Sequence, residues 1–189
     1  MLYRFSTFIV YSILKIFFKL EIKGADCFPK QGPFILASNH ISFLDPPAVS
    51  SCCPRKVVFI ARADLFNNKL LGFYMRRVGV IPIKRYSADL GALKVALNAL
   101  KIKPLLIFPQ GERTSNLDDV RPGIGFLCKK SAVPVIVARI YGTDVVLPKG
   151  AKFLRPGKVK VIFSRVDNIE KDDTYEDITT KVMDKIKSL

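Results

Sequence analysis

Short unbroken apolar runs recur along this chain, separated by longer stretches with helical periodicity. A strand that is apolar on both faces must be covered on both faces, and this requirement constrains the fold more than anything else in the sequence. Phe34–Ala37, just after Gly32-Pro33, is the first such run. Val57–Ile60, Gly79–Ile83, Leu105–Phe108, Val133–Ile140 and Val159–Phe163 follow. Pro82 cannot donate to a ladder, so its run is expected at a sheet edge or an irregularity.

Between the runs lie the covering helices. Ser87–Lys101 places Leu90, Leu93, Leu97 and Leu100 on one stripe, with Ser87 as its N-cap. From about Thr174 a C-terminal helix pairs Thr174 with Asp177 in capping-box spacing, then aligns Ile178, Val182, Ile186 and Leu189. Pro46 to about Cys53, Lys69–Val78 and Ile124–Ser131 are shorter helical segments. The alternation predicts an α/β fold: a mixed, mostly parallel central sheet flanked by helices, in one domain over residues 21–189. No repeat, low-complexity tract or linker divides it.

Residues 1–20 are rich in Phe, Ile and Leu but are interrupted by Arg4, Lys15 and Lys19. The uncharged stretch Phe5–Leu14 is shorter than the roughly 20 apolar residues that cross a bilayer. Glu21-Ile22-Lys23 stands where a secretory cleavage site would need small residues. The expectation is an amphipathic, membrane-associated helix lying in the interface, with its basic stems reaching toward headgroups. The bland alternative is a helix packed on the domain.

Lys and Arg number 31 against 16 Asp and Glu, a net charge of +15, which calls for anionic partners. The charge does not choose among nucleic acid, an anionic membrane face and phosphorylated ligands, but the sequence has no continuous basic block and no aromatic–basic signature of RNA modules. Taken with residues 1–20, the expected partner is an anionic membrane surface and not a nucleic acid. The four cysteines, Cys27, Cys52, Cys53 and Cys128, have one histidine beside them and no zinc spacing. No metal site is expected. Reduced, buried thiols fit a peripheral or monotopic protein on the cytoplasmic face of the cell membrane.

His40 follows the first apolar run, at a strand end where α/β sheets tend to bind ligands. Asp45 lies five positions on. If the chain turns into a helix near Pro46, the Asp45 carboxylate can fold back onto one ring nitrogen of His40. That fixes the tautomer and leaves the other nitrogen free as a base. Such a base activates an alcohol roughly a hundred- to ten-thousand-fold.

Asn39-His40 with Asp45 resembles the N-H-x-x-x-x-D signature of the glycerolipid acyltransferases, the family typified by 1-acylglycerol-3-phosphate acyltransferase. Gly79–Arg85 (GVIPIKR), Phe108–Thr114 (FPQGERT) and Val133–Val137 (VPVIV) are similar to three further family blocks, in the family's order. Arg121-Pro122-Gly123 stands where the family has K-x-G. The resemblance spans about Lys23 to Gly142. It implies that His40, oriented by Asp45, takes the proton from an acceptor hydroxyl, and that the hydroxyl attacks the thioester of acyl-CoA or acyl-carrier protein. No acyl-enzyme and no cofactor is expected. The product would be phosphatidic acid, made from 1-acylglycerol-3-phosphate in phospholipid biosynthesis. Asn39, Lys84, Arg85, Gln110, Gly111, Arg113 and Arg121 are the implied substrate-binding residues, the cations serving the acceptor phosphate.

Three positions depart from the family pattern, the mildest being Val137, where the family has its second Pro. Gln110 replaces its Glu, and Glu112 sets a carboxylate beside Arg113. These changes keep open the same chemistry on another lysophospholipid, a glycolipid or an aminolipid. A reading of a different class, a non-catalytic basic module for membrane or nucleic acid, rests on the charge alone.

Overall fold

Every residue of Ile35–Ser38 is buried, and the run forms the strand at the middle of the sheet. Successive side chains of a strand point to opposite faces. Ile35 and Ala37 accordingly join one apolar cluster, and Phe34 and Leu36 the other. The computed structural model describes residues 1–83, 89–120 and 123–189. Among them the elements are α1 (Leu2–Phe17), β1 (Glu21–Lys23), β2 (Ile35–Ser38), α2 (Asp45–Cys52), β3 (Val58–Arg62), α3 (Lys69–Val78), β4 (Val80–Ile83), α4 (Asp89–Leu100), β5 (Leu105–Ile107), α5 (Gly123–Ser131), β6 (Val135–Tyr141), α6 (Thr143–Val146), β7 (Lys160–Val166) and α7 (Tyr175–Lys187).

One sheet takes the order β1-β7-β6-β2-β5-β3-β4. β2 pairs in parallel with both β5 and β6, and β3 pairs in parallel with both β5 and β4. β7 runs antiparallel to β6, and β1 runs parallel to β7. The expected mixed, mostly parallel sheet is therefore present. Pro82 lies in β4, an outer strand, as its missing N–H requires. β1 is an addition to the expected set.

The helices cover both faces. Leu14 of α1, with Ala48, Val49 and Cys52 of α2, packs against Leu36, Leu106 and Ile136 on one face. Ala96 and Leu100 of α4, Leu127 of α5, and Ile178, Val182 and Ile186 of α7 cover the other. The Thr174–Asp177 capping box forms as expected. The cap expected at Ser87 lies outside the described residues.

α1 is two-sided. Leu14 is buried, which contributes about 2 kcal/mol. The Tyr3 hydroxyl accepts the Val57 N–H at 3.2 Å, and burial pushes that phenol up to about 12. Phe5, Phe8, Ile9, Ile13, Ile16 and Phe17 remain exposed. The packed-helix alternative thus holds for one face, while the other stays open and apolar. Among the described residues no helix is long and apolar enough to cross a membrane.

All four cysteines are free thiols. Burial pushes Cys52 and Cys128 up to about 12 and Cys53 to about 11. Half-buried Cys27 is raised for the same reason. Only thiolate alkylates readily, and at pH 8 the buried Cys52, Cys53 and Cys128 are protonated. Iodoacetamide at pH 8 is therefore expected to label Cys27 first and to leave Cys52, Cys53 and Cys128 unmodified until denaturant is added. Peptide mass spectrometry reads the outcome.

Candidate active site

The C-terminal ends of β2, β5 and β6 lie side by side at one edge of the sheet. Each delivers part of one cluster. β2 runs into Asn39 and His40, β5 into Phe108 and Gln110, and β6 into Gly142 and Thr143. Beyond His40 the chain reverses sharply. The Asp45 N–H donates to the Ser42 carbonyl at 3.2 Å and opens α2, with Pro46 and Pro47 in the first turn. Proline is tolerated there because first-turn N–H groups lack intrahelical acceptors.

That reversal brings Asp45 under the imidazole. Its Oδ2 lies 2.8 Å from His40 Nδ1 and accepts the backbone N–H groups of Ile41 and Ser42 at 2.6 and 2.7 Å. Its Oδ1 accepts the Thr143 hydroxyl at 2.5 Å. The Asp45 side chain is fully buried, while that of His40 is 16% exposed. A carboxylate offers Nδ1 only an acceptor, so Nδ1 carries the proton and Nε2 presents its lone pair. Phe108 stacks on the imidazole with centroids 4.3 Å apart, fixing the ring plane.

The backbone around His40 is held as firmly as its ring. Its N–H donates to Gln110 Oε1 at 2.8 Å, and its carbonyl accepts the Thr114 N–H at 2.9 Å. Both amide hydrogens of Gln110 are occupied, by the carbonyls of Thr114 and Asn116 at 3.2 and 2.9 Å. Asn39 clasps β6: Nδ2 donates to the Ile140 carbonyl at 2.9 Å, and Oδ1 accepts the Ile140 N–H at 2.8 Å.

A model of the acyltransferase family matches residues 19–141, the stretch that carries all of these groups except Gly142 and Thr143. The chain belongs to that family. It is 30% identical to a chloroplastic 1-acyl-sn-glycerol-3-phosphate acyltransferase of Brassica napus, over 79% of this chain and 45% of that protein. It is 23% identical to the 1-acyl-sn-glycerol-3-phosphate acyltransferase of Bacillus subtilis, over 85% of this chain and 80% of that protein. The crystal structure of the 1-acyl-sn-glycerophosphate acyltransferase PlsC of Thermotoga maritima shares the fold, with a TM-score of 0.79 at 23% identity. It matches 98% of this chain, which covers 76% of that one. The chain spans less than half the length of the Brassica napus relative.

Within this acyltransferase fold the expected site residues divide into groups. His40 and Asp45 meet. Asn39 and Gln110 join them, but as buried side chains committed to backbone partners. Gly111 is exposed at φ +71°, which gives the loop after Gln110 its left-handed turn. The Arg113 guanidinium lies over the exposed Phe43 ring, 3.5 Å from its centroid. Glu112 is exposed and makes no ion pair with Arg113 among the described residues. Lys84, Arg85 and Arg121 lie outside the described residues.

Sequence reasoning passed over Thr143 and the stacking role of Phe108. The available signal was slight: Gly142-Thr143 follows the fifth apolar run with only Tyr141 between. Gly142 has φ +78°, and a Cβ there would lie 1.9 Å from the Lys158 carbonyl oxygen, so only glycine turns the chain tightly enough to aim Thr143.

The Gln110 geometry also accounts for a departure in the motif. Glu at this position would face two carbonyls with no hydrogen to give. Gln110→Glu is expected to cost about 2–4 kcal/mol in urea unfolding near neutral pH. The deficit should shrink in acid, where a protonated carboxyl regains one donor. An unchanged midpoint at both pH values would overturn the assignment.

Proposed function

We propose that the chain is an O-acyltransferase that moves a fatty acyl group from acyl-CoA or acyl-carrier protein to the free hydroxyl of 1-acylglycerol-3-phosphate, forming phosphatidic acid. The observation that carries this reading is the imidazole of the sole histidine, held through Nδ1 by a fully buried carboxylate at 2.8 Å. Membership of the acyltransferase family and the printed names of the Brassica napus and Bacillus subtilis relatives support the reaction and the acceptor.

His40 Nε2 takes the hydroxyl proton as the alcohol oxygen attacks the thioester carbonyl. The tetrahedral intermediate collapses with loss of thiolate, and the imidazolium returns the proton to sulfur. Asp45 steadies the imidazolium between those two transfers, and Thr143 with the two backbone N–H groups steadies Asp45. Arg113, parked on Phe43, supplies a planar donor fork for the acceptor phosphate, and Lys84, Arg85 and Arg121 are proposed to add charge. The departures at Gln110 and Glu112 left other acceptors open. The Gln110 side chain is taken up by backbone groups, and the names of the relatives favour lysophosphatidic acid as the acceptor.

The open face of α1 and the charge of +15 support peripheral or monotopic attachment to the cytoplasmic face of a membrane, with an anionic lipid surface as partner.

His40→Ala and Asp45→Ala are each expected to lower acyl transfer about a hundredfold or more, read as thiol release from acyl-CoA with lysophosphatidic acid. Their far-ultraviolet circular dichroism should keep the native form. Full turnover by folded His40→Ala protein would overturn the mechanism. Arg113→Ala is expected to raise the KM for lysophosphatidic acid about tenfold or more with a smaller change in kcat. The KM for an acceptor without a phosphate should stay unchanged. Equal effects on both acceptors would remove Arg113 from the phosphate site.

A further inference from the structure

From Val145 to Val166 the chain has no acidic residue and six basic ones. Four of them, Lys149, Lys152, Arg155 and Lys158, fall in the loop of residues 148–158 that joins α6 to β7, and all four are exposed. Between them sits an apolar pair: Phe153 is 82% exposed, and Leu154 is exposed beside it. A loop bathed only in water gains nothing from a bare Phe-Leu pair ringed by cations. A bilayer interface rewards that combination, because the apolar pair enters the acyl boundary while the cations meet phosphates.

The pair does not stand alone. Leu154, Arg155 and Pro156 face Ile13, Phe17 and Phe18 across a groove of about 380 Å³. The loop is therefore continuous with the open face of α1, on which Phe17 is 68% exposed. We propose that the loop of residues 148–158 is a second membrane-docking element, specific for anionic lipid. Phe153 and Leu154 insert at the headgroup–acyl boundary, and Lys149, Lys152, Arg155 and Lys158 pair with lipid phosphates. This inference rests on the membrane attachment proposed for α1.

The loop is tied to the catalytic residues at its base. The Arg155 N–H donates to the Val146 carbonyl at 2.8 Å, and the Ser42 hydroxyl donates to the Leu147 carbonyl at 2.8 Å. Ser42 also gives its N–H to Asp45. A docked loop therefore holds the His40 turn at the lipid surface, where a lipid acceptor resides. An acidic protein would satisfy the cations, but it gives no reason for the apolar pair to run on into α1.

The chain contains no tryptophan, so a single Trp reports its own surroundings. Phe153→Trp, Leu154→Trp, Phe17→Trp and Ile102→Trp would each be titrated with phosphatidylglycerol vesicles, with phosphatidylcholine vesicles, and with acyl-carrier protein. Exposed Ile102 precedes β5, at the sheet edge opposite His40, and serves as the reference. The expected result is a blue shift, with quenching by acyl-chain-brominated lipid, at positions 153, 154 and 17 but not 102, on anionic vesicles only. Lys152→Gln and Arg155→Gln should each weaken vesicle binding about fivefold. A shift at 17 with none at 153 and 154 would overturn the loop and leave the α1 reading intact. No shift at any position would overturn both. A shift of 153 or 154 with acyl-carrier protein and none with vesicles would assign the loop to a protein partner instead.

Discussion

A buried carboxylate is tolerable only when donors surround it, and Asp45 gathers four from two stretches of chain. Two are the N–H groups of Ile41 and Ser42, exposed by the sharp reversal after β2. The third is the His40 ring, and the fourth is the Thr143 hydroxyl, 98 residues on. Asp45 also opens α2, where the positive end of the helix dipole favours an anion. The spacing of five between His40 and Asp45 follows from this arrangement. A shorter turn would not bring both the imidazole and two successive amides onto one carboxylate oxygen.

The burial that makes Asp45 demanding is imposed by the sheet. β2 is covered on both faces and flanked by parallel strands on both sides, so whatever follows it emerges between the ends of β5 and β6. The groups that complete the site had to come from those two neighbours. Gln110 and Phe108 come from one, and Thr143 from the other. Asn39 reinforces the joint by binding both backbone groups of Ile140, which locks the register of β2 against β6 just below the imidazole. The ring plane and the backbone of His40 are thus set from the segment after β5, and its tautomer by Asp45 at the start of α2.

The parts legible in the sequence were those fixed by local pattern. The strands buried on both faces appeared as apolar runs, Pro82 marked an outer strand, and Thr174 with Asp177 marked a helix start. β1 escaped because Glu21-Ile22-Lys23 is short and two-thirds charged. It is a strand only because β7 lies alongside, and no window of the sequence contains that pairing. The antiparallel direction of β7 was equally out of reach. At the site, His40 with Asp45 was legible as a local motif, whereas Thr143 depends on a tertiary meeting. Gln110 is the instructive case. As a sequence difference it pointed at the acceptor, but its buried amide holds one N–H and two carbonyls of the protein's own backbone, a pattern a carboxylate cannot reproduce.

Residues 142–147 join the chemistry to the surface. Gly142 turns the chain in a conformation only glycine enters cheaply, and the next residue donates to Asp45. The carbonyls of Val146 and Leu147 then accept from Arg155 at the base of the basic loop and from Ser42 beside the imidazole. One short segment thereby touches the carboxylate, the His40 turn and the loop that exposes Phe153. Interfacial enzymes face a particular difficulty: the substrate is confined to a plane, so a base placed well within the protein is useless if the mouth is turned away from that plane. On the docking proposed above, the loop that would meet that plane and the turn that carries His40 depend on the same few backbone groups. A displacement of the loop would therefore be transmitted to Ser42 and Asp45 over two hydrogen bonds.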